Sequence, residues 1–146
     1  MLGDGLLPTP FTAEEIRAGC PSGRVIELLV EEDGEAPYRR FTRYVSCDEE
    51  GATLERGGSD GGVESSRVTW AQLQAHAAFP AAATTVDQET IDLPLGALNC
   101  ERYTVRDDEG TTVFWFARAY PGMPVRISRE ENGRTVSTTT MTSSSI

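Results

Sequence analysis

Apolar and polar residues alternate in short runs along most of the chain, and clusters of acids closed by glycine separate the runs. The clusters read Glu31-Glu32-Asp33-Gly34, Asp48-Glu49-Glu50-Gly51, Asp107-Asp108-Glu109-Gly110 and, as a variant, Glu130-Glu131-Asn132-Gly133. Asp-Gly and Asn-Gly accept the positive φ angles of tight hairpin turns, so the pattern predicts an antiparallel β-meander. Strands are expected over 24–32, 38–47, 52–56 and 63–68. A second set follows over 81–95 (clearest at 91–95), 97–106, 111–119, 125–129 and 134–142. In the second strand Phe41, Val45 and Cys47 oppose Tyr38, Thr42 and Tyr44, which defines two faces. Pro94 marks a strand end or a sheet edge. Residues 57–62 read as a flexible glycine loop, and residues 143–146 are expected to fray.

Two short helices interrupt this pattern. Thr12 caps the first, with Glu15 three residues on completing a capping box, and Phe11 can pack on Ile16 as a hydrophobic staple. Gly19-Cys20-Pro21-Ser22-Gly23 ends it. Thr69 caps the second, residues 70–78, with Gln72 as its box partner. Trp70, Leu73 and Ala77 share its apolar face. The expected fold is α+β: a curved antiparallel meander of eight or nine strands, half-barrel-like, with the two helices packed on the sheet.

At 146 residues the chain fits a single domain, residues 1–146, large enough for a core without staples. No apolar run approaches the roughly 20 residues of a membrane helix, so no membrane insertion is expected. The first eight residues carry neither a basic leader nor a long apolar stretch, which makes the cytoplasm the expected location unless a signal has been removed. The net charge is −10, and eleven of the 23 acids lie in the four turn clusters. There they keep hairpin ends hydrated; none matches the spaced acidic loop of a calcium site. Acidity also argues against nucleic-acid partners. All 13 basic residues are arginine, which removes lysine Schiff-base and general-base chemistry.

The segment Leu93-Pro94-Leu95-Gly96-Ala97-Leu98-Asn99-Cys100-Glu101-Arg102-Tyr103, the aromatic strand Phe114-Trp115-Phe116 and the corner Pro121-Gly122-Met123-Pro124-Val125-Arg126 carry a resemblance. Over roughly the last 55 residues the chain resembles uncharacterised bacterial domains related to the lipoprotein-carrier (LolA-like) half-barrels, in which a curved sheet wraps helices. The resemblance implies a cavity between sheet and helix. It does not imply a lipid ligand, because one fold serves unrelated tasks.

Candidate chemistry is sparse. Cys20, Cys47 and Cys100 are widely spaced, consistent with free thiols, and with His76 they lack the paired spacing of zinc ligands. His76 lies at the margin of its helix face and serves no nucleophile motif. Arg39, Arg40 and Arg43 form a basic cluster. They are read either as partners of Glu27, Glu31 or Glu32, or as a clamp, centred on Arg43, for an anion at the mouth of a cavity. Tyr44, Trp70, Tyr103, Phe114, Trp115 and Phe116 are the large side chains expected to shape that cavity. Glu27, Asp92 and Glu101 are strand carboxyls that could point inward and act as acid or base. No catalytic residue, metal or cofactor is assigned. The reading is a non-enzymatic binding or scaffold domain, taking a small apolar or amphipathic ligand or a protein partner. The alternative is a small metal-independent enzyme using the same cavity.

Overall fold

The computed structural model describes residues 5–58 and 61–145. Helix α1 (Ala13–Gly19) precedes β1 (Val25–Glu32), β2 (Tyr38–Cys47), β3 (Gly51–Gly58) and β4 (Val63–Thr69). Helix α2 (Trp70–Ala75) and a 3₁₀ turn (Ala81–Ala83) lead to β5 (Thr84–Leu93), β6 (Gly96–Arg106), β7 (Thr111–Ala117), β8 (Arg126–Glu131) and β9 (Arg134–Ser145). Both predicted capping boxes are present. Pro94 sits in the turn that ends β5, and β5 is an edge strand.

The strands form one open, curved sheet in the order β4-β3-β2-β1-β9-β8-β7-β6-β5. Two sequential meanders are thus fused at their middle by β1 and β9, paired antiparallel from Val25 opposite Ser145 to Glu32 opposite Ser137 with a register shift between Glu27 and Leu28. The expected fraying of residues 143–145 is corrected here: they complete β9 on Val25–Glu27, and of that stretch Ile146 lies outside the described residues. Ser59 and Asp60 of the expected glycine loop also lie outside them.

This fusion places β4 and β5, consecutive in sequence, at opposite edges. Laid flat, eight inter-strand gaps of about 4.8 Å would separate those edges by roughly 38 Å. The connection, residues 70–83, winds six of its residues into α2. With three more in the 3₁₀ turn, its reach is about 33 Å even with the other five fully extended. A curled sheet shortens the span, and the connection runs across the hollow side. Leu7 N–H donates to the Phe79 carbonyl at 2.9 Å and Ala81 N–H to Gly5 at 2.8 Å, so the N-terminal segment rides on the same strap. Gln74 joins the helices: its Oε1 accepts from Ala13 N–H at 3.0 Å and its Nε2 donates to Thr9 Oγ1 at 3.0 Å.

Between sheet and strap lies the core. Ile26, Tyr44, Ala52, Leu54, Tyr103, Phe116 and Met141 supply the sheet side, and Phe11, Ile16, Trp70 and Phe79 the other. Phe79 is the strap's contribution to the aromatic cluster, with ring centroids 4.7 Å from Phe114, 5.4 Å from Tyr103 and 6.4 Å from Phe116.

The four turns divide into two kinds. Gly34, Asn132 and Gly133 take positive φ, as the turn signature predicts. Gly51 and Gly110 do not. A Cβ there would stand 2.0 Å from the Val68 carbonyl oxygen and 2.1 Å from that of Glu130, so close backbone approach demands glycine. The leading aspartate builds each of these turns: Asp107 Oδ1 accepts from Glu109 N–H at 2.8 Å and Gly110 N–H at 3.0 Å, and Asp48 repeats the arrangement. Arg129 closes on Asp107 in a bidentate pair at 2.7 and 3.0 Å. The Arg129 hydrogen bonds, with help from the turn amides, hold the Asp107 carboxyl well below the ordinary aspartate range. A carboxyl depressed in the folded state contributes stability above its unfolded pKa of about 3.9 and loses it as pH falls toward the folded value. An NMR titration of Asp107 should show that low midpoint, and Arg129→Gln should move it upward. A midpoint near 3.9 in both proteins would refute the assignment.

Candidate functional site

A cavity of about 210 Å³ opens under the strap. Its sheet wall is Tyr44 and Leu54 on one meander and Phe114, Phe116 and Ile127 on the other. Leu73, Ala77 and Phe79 roof it. The 121–124 corner closes one end: Gly122 has φ 111°, and a Cβ there would meet Cys20 Sγ at 3.2 Å. Among the lining residues only Arg56 and His76 are basic, and none is acidic.

The end wall is pinned by Arg24, which is 3% exposed. Its guanidinium donates to the carbonyls of Pro121 at 2.7 Å and Gly19 at 3.1 Å, to Cys20 Sγ at 3.0 Å and to Ser144 Oγ at 3.0 Å. One side chain thereby joins the end of α1, the corner and β9. Tyr44 stands beside this node. Burial, and secondarily the neighbouring Cys20, push its phenol pKa up, so it remains neutral.

The cavity brings together three of the expected residues, Tyr44, Phe114 and Phe116. Trp70 is buried at the root of α2, its Nε1 donating to the Asp48 carbonyl at 2.8 Å. Tyr103 lies beneath Phe79, and burial raises its phenol pKa. Trp115 and Arg43 occupy the opposite face of the sheet, since neighbours along a strand alternate sides. Trp115 Nε1 donates to Glu89 Oε1 at 2.7 Å, with Arg126 5.8 Å from its ring centre. Arg43 pairs with Glu55 at 2.8 Å and lies over Phe41. Of the strand carboxyls, Glu27 and Asp92 are exposed and Glu101 pairs with Arg118 at 3.5 Å.

Sequence reasoning missed Arg56, Phe79 and Met123 as cavity residues and placed His76 only at a helix margin. A signal for Arg56 existed: it stands two residues from buried Leu54, and that period puts both on one face. Cys20 and Cys47 share a corner, Cys47 Sγ donating to the Cys20 carbonyl at 3.3 Å, and all three cysteines are free. Among the described residues no three histidines, cysteines or carboxylates gather as metal ligands, and no helix is long and apolar enough to cross a membrane.

An open antiparallel sheet curled around a helical strap with a hollow between them defines the half-barrel class. No protein-family model matches the chain, and no curated protein matches it in sequence. Solved structures do match. A chain of the Pseudomonas aeruginosa MucA/MucB complex aligns over 90% of this chain and 54% of its own, with TM-score 0.62 and 11% identity. A candidate exported protein with YmcC-like fold from Bacteroides fragilis aligns over 87% and 97%, with TM-score 0.51 and 12% identity. A candidate lipoprotein from Parabacteroides distasonis aligns over 86% and 97%, with TM-score 0.53 and 9% identity. The chain therefore spans about half the length of the matched MucA/MucB chain. At these identities the likeness is one of fold alone.

Proposed function

We propose that this domain is a non-enzymatic binding module that holds the apolar part of a small amphipathic molecule between the sheet and α2. The observation that carries the reading is the cavity itself, walled by aromatic and aliphatic side chains with basic groups Arg56 and His76 among them. Water confined there has few hydrogen-bond partners, so an apolar group replaces it favourably. Titration with the neutral dye N-phenyl-1-naphthylamine tests this. Saturable fluorescence enhancement is expected, weakened about tenfold or more by Leu73→Trp, which fills the hollow from its roof. Absence of any enhancement, or an unaltered response in Leu73→Trp, would refute the cavity as the site.

A protein partner is the second reading, favoured by the likeness to a chain solved in a complex of two proteins, MucA and MucB. A pull-down that Leu73→Trp leaves intact would place such a partner elsewhere on the sheet. A cytoplasmic location is proposed beside this reading on the three free cysteines, and cell fractionation decides it.

A further inference from the structure

We infer that the ligand is a medium-chain monocarboxylate whose anionic head is received by Arg56; the inference rests on the cavity reading above and names the chemistry of its polar end. Six arginines, at positions 43, 67, 102, 118, 129 and 134, are paired with carboxylates. Arg24 is saturated by oxygen and sulfur acceptors and Arg106 bonds Thr85, while Arg126 lies over Trp115 on the face away from the cavity with its Nε buried and unpartnered. Arg17, Arg39 and Arg40 are exposed to water. Arg56 is the one arginine among the cavity's lining residues. It is half-buried on the cavity wall, and it makes no hydrogen bond or ion pair with any described residue.

In a chain with 23 acids and 13 arginines, a partnerless guanidinium in a half-buried wall is not a shortage of carboxylates. Glu64 stands directly across from Arg56 in the β3–β4 register, yet no ion pair joins them. None of its nitrogens is sealed from water, so a carboxylate that pairs with it exchanges hydration for charge-assisted hydrogen bonds in a half-buried setting.

The position of Arg56 fits a head group. It lines both the apolar cavity and the wide groove of about 700 Å³ that continues outward past Arg40 and Glu64. A tail under the strap would therefore leave its charged end at Arg56, with the His76 imidazole on the same cavity. Volume limits the tail. About 210 Å³ equals roughly seven waters at 30 Å³ each, a chain of about seven methylenes, and sits below the 300–1,000 Å³ of common ligand pockets. A carboxylate matches the planar fork of a single guanidinium through two parallel hydrogen bonds.

Calorimetric titration with octanoate and octanol, which share a tail and differ in charge, tests the inference. Wild-type protein is expected to bind both. Arg56→Gln should weaken octanoate about tenfold or more while changing octanol less than twofold. Arg40→Gln, which alters only the outer groove, should leave octanoate within about twofold, because an exposed cation contributes little. Equal effects of Arg56→Gln on both compounds, octanol binding without octanoate, or a larger loss in Arg40→Gln would overturn the carboxylate assignment and leave the cavity reading standing. Failure of both compounds and of the neutral dye to bind wild-type protein would remove both. Thermal midpoints of the variants identify any that lose affinity by unfolding.

Discussion

Replacing Phe79 with alanine is expected to lower the unfolding free energy by about 3–5 kcal/mol, the usual cost of deleting a buried ring. For a domain of this size that corresponds to a fall in Tm on the order of 10 °C or more. Phe79 lies on the strap between the two sheet edges and is 8% exposed. Its ring meets Tyr103, Phe114 and Phe116, so its loss removes the contact that holds the strap against β6 and β7. The backbone carbonyl of the same residue anchors Leu7, so the N-terminal segment loosens with it. The site also borders the ligand cavity, which the missing ring would enlarge. Denaturant unfolding measures the effect. A loss below about 1 kcal/mol would mean that the strap is held elsewhere and that the aromatic cluster is incidental.

Arg24→Met should be nearly as damaging, at about 3 kcal/mol or more. Methionine restores much of the volume but none of the donors. The carbonyls of Gly19 and Pro121 and the hydroxyl of Ser144 would then compete for fewer partners in a buried corner. An unsatisfied buried acceptor costs about 1–3 kcal/mol, and the three are not additive because the corner can shift. Arg43→Met makes the control, since its ion pair with Glu55 is largely exposed and is expected to matter by less than about 1 kcal/mol. Equal effects for the two arginines would show that the node at Arg24 does not organise the end of the cavity.

The node at Arg24 also shows why part of the site was hidden in the sequence. Read locally, Arg24 only opens a strand. Gly19 and Cys20 are near in sequence, but Pro121 and Ser144 lie 97 and 120 residues away, and no local pattern connects positions so far apart. The same holds for Arg43 and Arg56. Both belong to strands that the alternation identified, but which side faces the strap depends on which edge the connection crosses. Clustered charge near Tyr44 drew attention to Arg43. The period from Leu54 pointed to Arg56, whose neighbours carry no comparable cluster.

Local chemistry determined a good deal of this protein. The two capping boxes, the hairpin turns, the Pro94 strand end and the two-fold periodicity each act over a few residues, so the element order and the α+β class could be read directly. Two positions were legible as glycine but for another reason: Gly51 and Gly110 are required by a neighbouring carbonyl rather than by φ. Tertiary structure alone decided the rest. Pairing of β1 with β9 joins the first and last strands, turns residues 143–145 into strand and sends β4 and β5 to opposite edges. From that follow the curl, the strap, and the hollow with Arg56 on its wall. Contacts this distant in sequence carry no periodic signature, because their stability comes from the joint burial of faces that meet only after the sheet has closed.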